Sequence, residues 1–178
     1  MKIKNVKLNN LFLRPLKLSD APIFISWFAD KEVVKYLMLQ KSPSISEEKK
    51  WITTQIKSKN SYVWSILDNK KSLVGNINLR YENKNKLAHL GVVIGEKTAW
   101  GRGYGRQAMQ FMIDFAFKNL KCNRVELMVF SNNIRAKKLY KKLGFVLEGK
   151  QRQKHYNLIT KKFEDDEIYS ILRREYKK

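Results

Sequence analysis

Acidic residues are scarce in this chain: sixteen Asp and Glu stand against thirty-seven Lys and Arg in 178 residues, a net charge of +21. Cysteine is scarcer still. Cys122 alone excludes an intrachain disulfide, and with only two His it makes no metal-ligand set. Three Pro and eight Gly exclude a collagen-like or linker-dominated chain. No run approaches the roughly 20 apolar residues of a membrane helix. The opening MKIKNVKLNNLFLRP has no seven-residue apolar stretch and no small-residue cleavage site, so it is not expected to act as a signal peptide. With 43% apolar residues, enough for a real core, the expectation is one cytoplasmic domain over residues 1–178, with no membrane partner.

The positive excess attracts polyanions, whether nucleic acid, ribosome or phosphorylated ligands. Yet Lys dominates over Arg and is scattered from Lys2 to Lys178, as a compositional bias would leave it. No Arg fork or groove-reading element marks a specific duplex binder. Catalytically idle binding, of nucleic acid or of a small ligand, stays open as an alternative to enzymatic activity.

Apolar spacing sorts the chain into alternating elements. Val6 to Arg14 reads as an edge strand ending at Pro15. Ser19-Asp20-Ala21-Pro22 opens a helix with Ile23, Phe24, Trp27 and Phe28 on one stripe, and Ser46 opens another through Trp51, Ile52 and Ile56. Strands at 62–67, 73–81 and 87–94, separated by Asp68-Asn69 and Asn83–Lys86, form an antiparallel meander. A Gly-rich loop and a helix with Ala108, Met109, Met112 and Ile113 follow, then a strand at 125–130. The helix Asn133–Leu143 stops at Gly144, and strands at 145–148 and about 167–172 finish the chain. The predicted class is α/β (α+β): a mixed, mostly antiparallel sheet of six to seven strands flanked by helices.

Two segments carry chemistry. In Trp100-Gly101-Arg102-Gly103-Tyr104-Gly105-Arg106, alternate glycines between a strand and a helix can turn several N–H groups toward one point, at the positive end of the helix dipole. That suits a phosphate or pyrophosphate. A dinucleotide fingerprint fails from Gly101, because Arg106 stands where Gly is needed. From Gly103 it tolerates Ala108 but lacks the parallel βαβ unit and a suitably placed acid. No Gly-Lys-Ser/Thr tripeptide supports a Walker A loop. The second segment, Asn133 to Phe145, has the form Asn-x-x-Ala-x-x-Leu-Tyr-x-x-x-Gly-Phe.

Together the two resemble the GNAT superfamily of acetyl-CoA-dependent N-acetyltransferases. Leu13 to Leu16 and Glu167 to Leu172 bring it nearest the ribosomal-protein N-terminal, spermidine and amino-sugar branch. Trp100 departs from the Gln or Arg usual at its position. The resemblance implies acetyl-CoA as co-substrate, with no metal. It implies that the loop Gly101 to Arg106 holds the pyrophosphate, helped by Arg102, Arg106 and Lys138. It further implies that Val92, Val93 and Ile94 pair with the pantetheine, that Asn133 contacts the same arm, and that Tyr140 protonates the departing thiolate. The last role suits a phenol near pKa 10 facing a thiol near 8.5.

The acceptor amine must first lose a proton. For a lysine-like amine that costs about 4 kcal/mol at neutral pH, against under roughly 1 kcal/mol for an α-amine. Glu82 and His89 are the candidate bases; His89 could equally be an exposed edge-strand residue. Cys122 lacks a partner His and acid for acyl-cysteine chemistry. The acceptor is expected to meet the N-terminal helices, where Trp27, Phe28, Tyr36, Met38 and Trp51 are read first as core. The sign of the field favours a protein N-terminus, on or near the ribosome, or an amino sugar linked to a nucleotide, over a polyamine. Relatives are commonly homodimers.

Overall fold

The computed structural model describes residues 3–39 and 41–176. The N-terminal run is a hairpin: β1 (Val6–Lys7) turns back at Leu8, whose N–H donates to the Leu11 carbonyl, into β2 (Leu11–Pro15). The expected single strand over 6–14 is thus two, because Asn9-Asn10 supplies a turn inside it. In β2, Arg14 reaches back to Asp20 at 2.6 Å, and Ser65 donates to the same carboxylate at 2.8 Å. This pair holds the short turn of helix 18–20 beneath α1 (Ala21–Ala29).

A further helical turn, α2 (Lys31–Val34), is capped by Asp30. The next helix, α3 (Ile45–Lys57), begins at Ser44 and not Ser46. Ser44 and Glu47 form a reciprocal capping box, the Ser-x-x-Glu arrangement that satisfies two orphan N–H groups at once.

The meander is as expected: β3 (Ser61–Asp68), β4 (Leu73–Glu82) and β5 (Leu87–Ile94) pair antiparallel, with Asn78 opposite Gly91 and Asn76 opposite Val93. After the glycine loop come α4 (Tyr104–Asp114), extended by one wide turn over 115–119, then β6 (Arg124–Phe130) and α5 (Ile134–Lys142). The chain closes with β7 (Val146–Asn157) and β8 (Lys162–Leu172), a hairpin far longer than the predicted strands at 145–148 and 167–172. The eight strands run in the order β1-β2-β3-β4-β5-β6-β8-β7, one or two more than predicted. Among the described residues only β5 and β6 are parallel neighbours.

Both faces of the sheet are packed. Trp64, Ile66, Ile77, Leu79 and Ala88 meet Ala108, Met109 and Met112 of α4 on one side. Val63 meets Phe24, Trp27 and Ile52 of α1 and α3 on the other. Trp27 lies flat against Gly95, where any Cβ would strike its ring at 2.0 Å.

Candidate active site

Between β5 and β6 the pairing lasts only three residues, from Leu87–Arg124 to His89–Glu126. From Leu90 to Ile94, β5 keeps its β4 partner but loses β6. A cleft of about 1770 Å³ opens there. Leu90 to Ile94 form one wall; the glycine loop and α5 close its sides, and Phe28, Tyr36, Met38, Glu48 and Trp51 face it from the N-terminal helices. Of the aromatics first read as core, Trp27 is buried, whereas Phe28, Tyr36 and Trp51 line the cleft together with Met38.

The loop leaves backbone donors free. Gly101 and Gly103 both adopt φ +79°, a conformation costly for any residue with a Cβ, and Gly103 caps α4. Gly105 differs from them: it sits in the first turn of α4, and a Cβ there would make only ordinary contacts with Ile94 and Leu139. The first hydrogen bond of the helix runs from Gln107 N–H to the Gly103 carbonyl. The N–H groups of residues 101–106 therefore have no acceptor among the described residues, and the positive end of α4 lies behind them.

Trp100 turns its indole back to donate to the Ile94 carbonyl at 2.7 Å, and the Arg135 guanidinium lies 5.3 Å from its ring centroid. That carbonyl therefore points to the open edge of β5, and strand alternation gives Val92 backbone groups the same direction.

On α5, Tyr140 is 8% exposed and wedged between Phe145 and Tyr169 at ring separations of 5.9 and 6.0 Å. Burial pushes its phenol up to about 12, with the neighbouring Tyr169 adding to the rise. Its hydroxyl has no hydrogen-bond partner among the described residues. Asn133 serves two roles. Its Oδ1 accepts from Ala136 N–H at 3.1 Å as the helix cap, while the residue also lines the cleft.

The other predicted residues divide. Val92, Val93, Ile94, Arg106 and Lys138 line the cleft, but Arg102 does not. Glu82 lies four residues beyond Asn78 on β4, about 13 Å along the strand, and bonds Asn85. His89 sits at the last β5–β6 pair, bound to Glu126 at 3.0 Å in a network with Arg124 and Glu148. Neither candidate base reaches the cleft lining. Cys122 is buried with its thiol pushed up to about 11, far from a reactive thiolate. Asn76, Asn78, Glu48 and Lys142 line the cleft without having been predicted, because only tertiary packing gathers them. No cluster of potential metal ligands and no helix long and apolar enough to cross a membrane occurs among the described residues.

A family model described as the acetyltransferase (GNAT) domain matches residues 10–146. This chain belongs to the GNAT acetyltransferases. It is 28% identical over 171 residues to p20 of Bacillus licheniformis, an uncharacterized N-acetyltransferase, covering 93% of this chain and 94% of that one. Over 170 residues it is also 28% identical to another, YoaA of Bacillus subtilis, with the same shares covered. Its fold superimposes on the spermidine N-acetyltransferase of Vibrio cholerae, solved with CoA and spermine, at a TM-score of 0.85 and 22% identity, covering 94% of this chain and 98% of that one. The acetyltransferase is acetyl-CoA-dependent and transfers to nitrogen.

Proposed function

We propose that residues 1–178 act as one catalytic unit that moves an acetyl group directly from acetyl-CoA to a primary amine. The observation that carries this is continuity. The glycine loop with its unpartnered backbone N–H groups, an open strand edge and a buried phenol with a free hydroxyl border one cleft.

The N–H groups of residues 101–106 hold the pyrophosphate, with Arg106 and Lys138 adding charge. The open edge of β5 at Val92 to Ile94 pairs with the pantetheine amides, and the free NH₂ of Asn133 contacts the same arm. A β5 N–H at Val92 polarises the thioester carbonyl and strengthens its bond as an oxyanion develops. The amine nitrogen attacks the carbonyl carbon, and the carbon–sulfur bond breaks. Tyr140 donates its hydrogen bond to the sulfur as charge leaves. Burial pushes that phenol up to about 12, so it stays protonated and is a hydrogen-bond donor at neutral pH.

Glu82 and His89 are not retained as bases; solvent in the open cleft takes the proton of the amine. The long-range field of +21 still favours acceptors that carry negative charge elsewhere, such as a ribosome-associated N-terminus or an amino sugar on a nucleotide. The polyamine in the Vibrio structure supports a primary amine as the reacting group.

Acetyl transfer assayed with peptides, amino-sugar nucleotides, aminoglycosides and polyamines tests this. CoA release that depends on the amine, with stoichiometric N-acetyl product, is expected. CoA binding without transfer to any amine overturns it.

A further inference from the structure

Glu48 lies one turn before Ile52 on α3, and this four-residue spacing puts both on one face. Ile52 is fully buried among Phe24, Trp27, Val33 and Val63. Glu48 carries the same stripe out of the core and into the cleft, where it is only 6% exposed. Its carboxylate oxygens are not among the fully buried unpartnered atoms, so what exposure the residue keeps turns them to the cleft, where a poorly hydrated carboxylate gains from a counter-charge or hydrogen bonds. Every other Asp and Glu of the chain has them: Asp20 from Arg14, Glu47 from Lys41, Glu32 from Lys97, and the rest from basic side chains, hydroxyls, amides or backbone N–H groups. Glu48 alone has neither a side-chain nor a backbone partner for its carboxylate among the described residues, in a protein with thirty-seven basic residues.

Lys35, Lys41, Arg106, Arg135, Lys138 and Lys142 also line the cleft and none of them pairs with Glu48, while the uncharged part of the lining suits a cation. Asn76 and Asn78 line the same cleft with side-chain amides that have no partner among the described residues, so their oxygens are available as acceptors. Phe28, Tyr36 and Trp51 supply aromatic faces. An ammonium has three donors and no acceptor, and its alkyl body suits aromatic walls. Burial raises the pKa of Glu48 with nothing opposing it, as expected of a carboxylate whose partner arrives from outside.

We propose that Glu48 is the anchor of the acceptor side: the cleft receives an organic amine in its charged form, and Glu48 pairs with that ammonium. The inference deepens the acetyl-transfer function and rests on the cleft being its active site. Glu48 acts in recognition, upstream of proton loss and attack, and sets the specificity for cationic over neutral molecules of the same shape.

Calorimetric titration of the CoA-loaded protein with hexylamine and with 1-hexanol near pH 7.5 tests it without turnover. Wild-type protein is expected to bind hexylamine and to bind the alcohol at least tenfold more weakly, as loss of a charge-assisted hydrogen bond allows. Glu48→Gln is expected to lose roughly 10- to 100-fold for hexylamine, to bind 1-hexanol as before and to keep its CoA affinity, with Glu48→Asp recovering part of the loss. Equal binding of the two probes by wild-type protein overturns the proposal, whatever the variants do. Unchanged hexylamine affinity in a CoA-competent Glu48→Gln protein overturns it as well. Amine binding that depends on Glu48 with no acetyl product from any amine would instead refute the transfer reaction and leave the anchor standing.

Discussion

Trp100 and Ile94 are joined by a 2.7 Å hydrogen bond from the indole N–H to the strand-end carbonyl. The bond ties the glycine loop to the end of β5, so the two surfaces proposed above for the two ends of the cofactor move together. Trp100 thus works from the loop's edge as a brace.

Trp100→Phe keeps an aromatic face for Arg135 and deletes the donor. Stability should fall by about 1 kcal/mol, since the Ile94 carbonyl stays partly solvated. CoA affinity should fall about three- to tenfold, because the loop must then be ordered by the ligand. Thermal unfolding and CoA calorimetry check both numbers. An unchanged CoA affinity would mean that the brace does not preorganise the loop.

Gly103 and Gly105 should respond to alanine with opposite signs. Gly103 sits at φ +79°, so Ala there costs about 1–2 kcal/mol of stability, although nothing lies within 4 Å of the new methyl. Gly105 is helical, with room on its protein side, so Ala there should leave stability unchanged or raise it by up to about 0.5 kcal/mol. If the phosphates lie against the first turn of α4, Gly105→Ala should still weaken CoA binding tenfold or more. A stable, fully CoA-competent Gly105→Ala protein would move the phosphates elsewhere.

Tyr140→Phe should lower kcat by about 10² or more while changing the Kd for acetyl-CoA less than threefold. The pH dependence carries a sign. The donor works when protonated, and its pKa is raised to about 12, so no loss of kcat should come from Tyr140 as pH rises from 7 to 10. An alkaline limb in kcat near pH 9 that disappears in the Phe variant would place its ionisation far lower than burial allows.

Much of this was legible in the sequence where patterning is local. The meander follows from period-two alternation between turn residues, and α4 and α5 follow from apolar stripes bounded by Gly103 and Gly144. The long β7–β8 hairpin was missed because Lys150 to Lys154 point largely to solvent from an outer strand and show no alternation. α2 is a single turn, too short for a period. Ser44 and Glu47 spell a capping box, whereas Ser46 stands directly before the Glu47-Glu48 pair and so resembles a cap by adjacency alone. Within the site, the loop and helix motifs are local, and most of their residues line the cleft. Glu48 and the amides of Asn76 and Asn78 could not be found that way, because their isolation from every partner is a property of the packed molecule.

Arg124 links two halves of the sheet below the cleft, binding Glu126 on its own strand and Glu148 on β7, which also accepts from Ser170 at 2.7 Å. The Arg124 guanidinium and this hydroxyl hold the Glu148 carboxyl down at about 2. A carboxyl depressed on folding stabilises the native state above its unfolded pKa, near 4.5, and loses that contribution as pH falls through about 2. Glu148→Gln should therefore lower Tm at pH 7, and the difference from wild type should shrink steadily between pH 4.5 and 2. The effect should be modest, since Glu148 is partly exposed and salt screens the pair. His89, joined to the same network through Glu126, makes the readout two-sided. If the network also holds the last β5–β6 pair together, Glu148→Gln should increase amide exchange at Ala88 and His89 at neutral pH. A pH-independent difference in Tm would show that Glu148 acts by packing and not by charge.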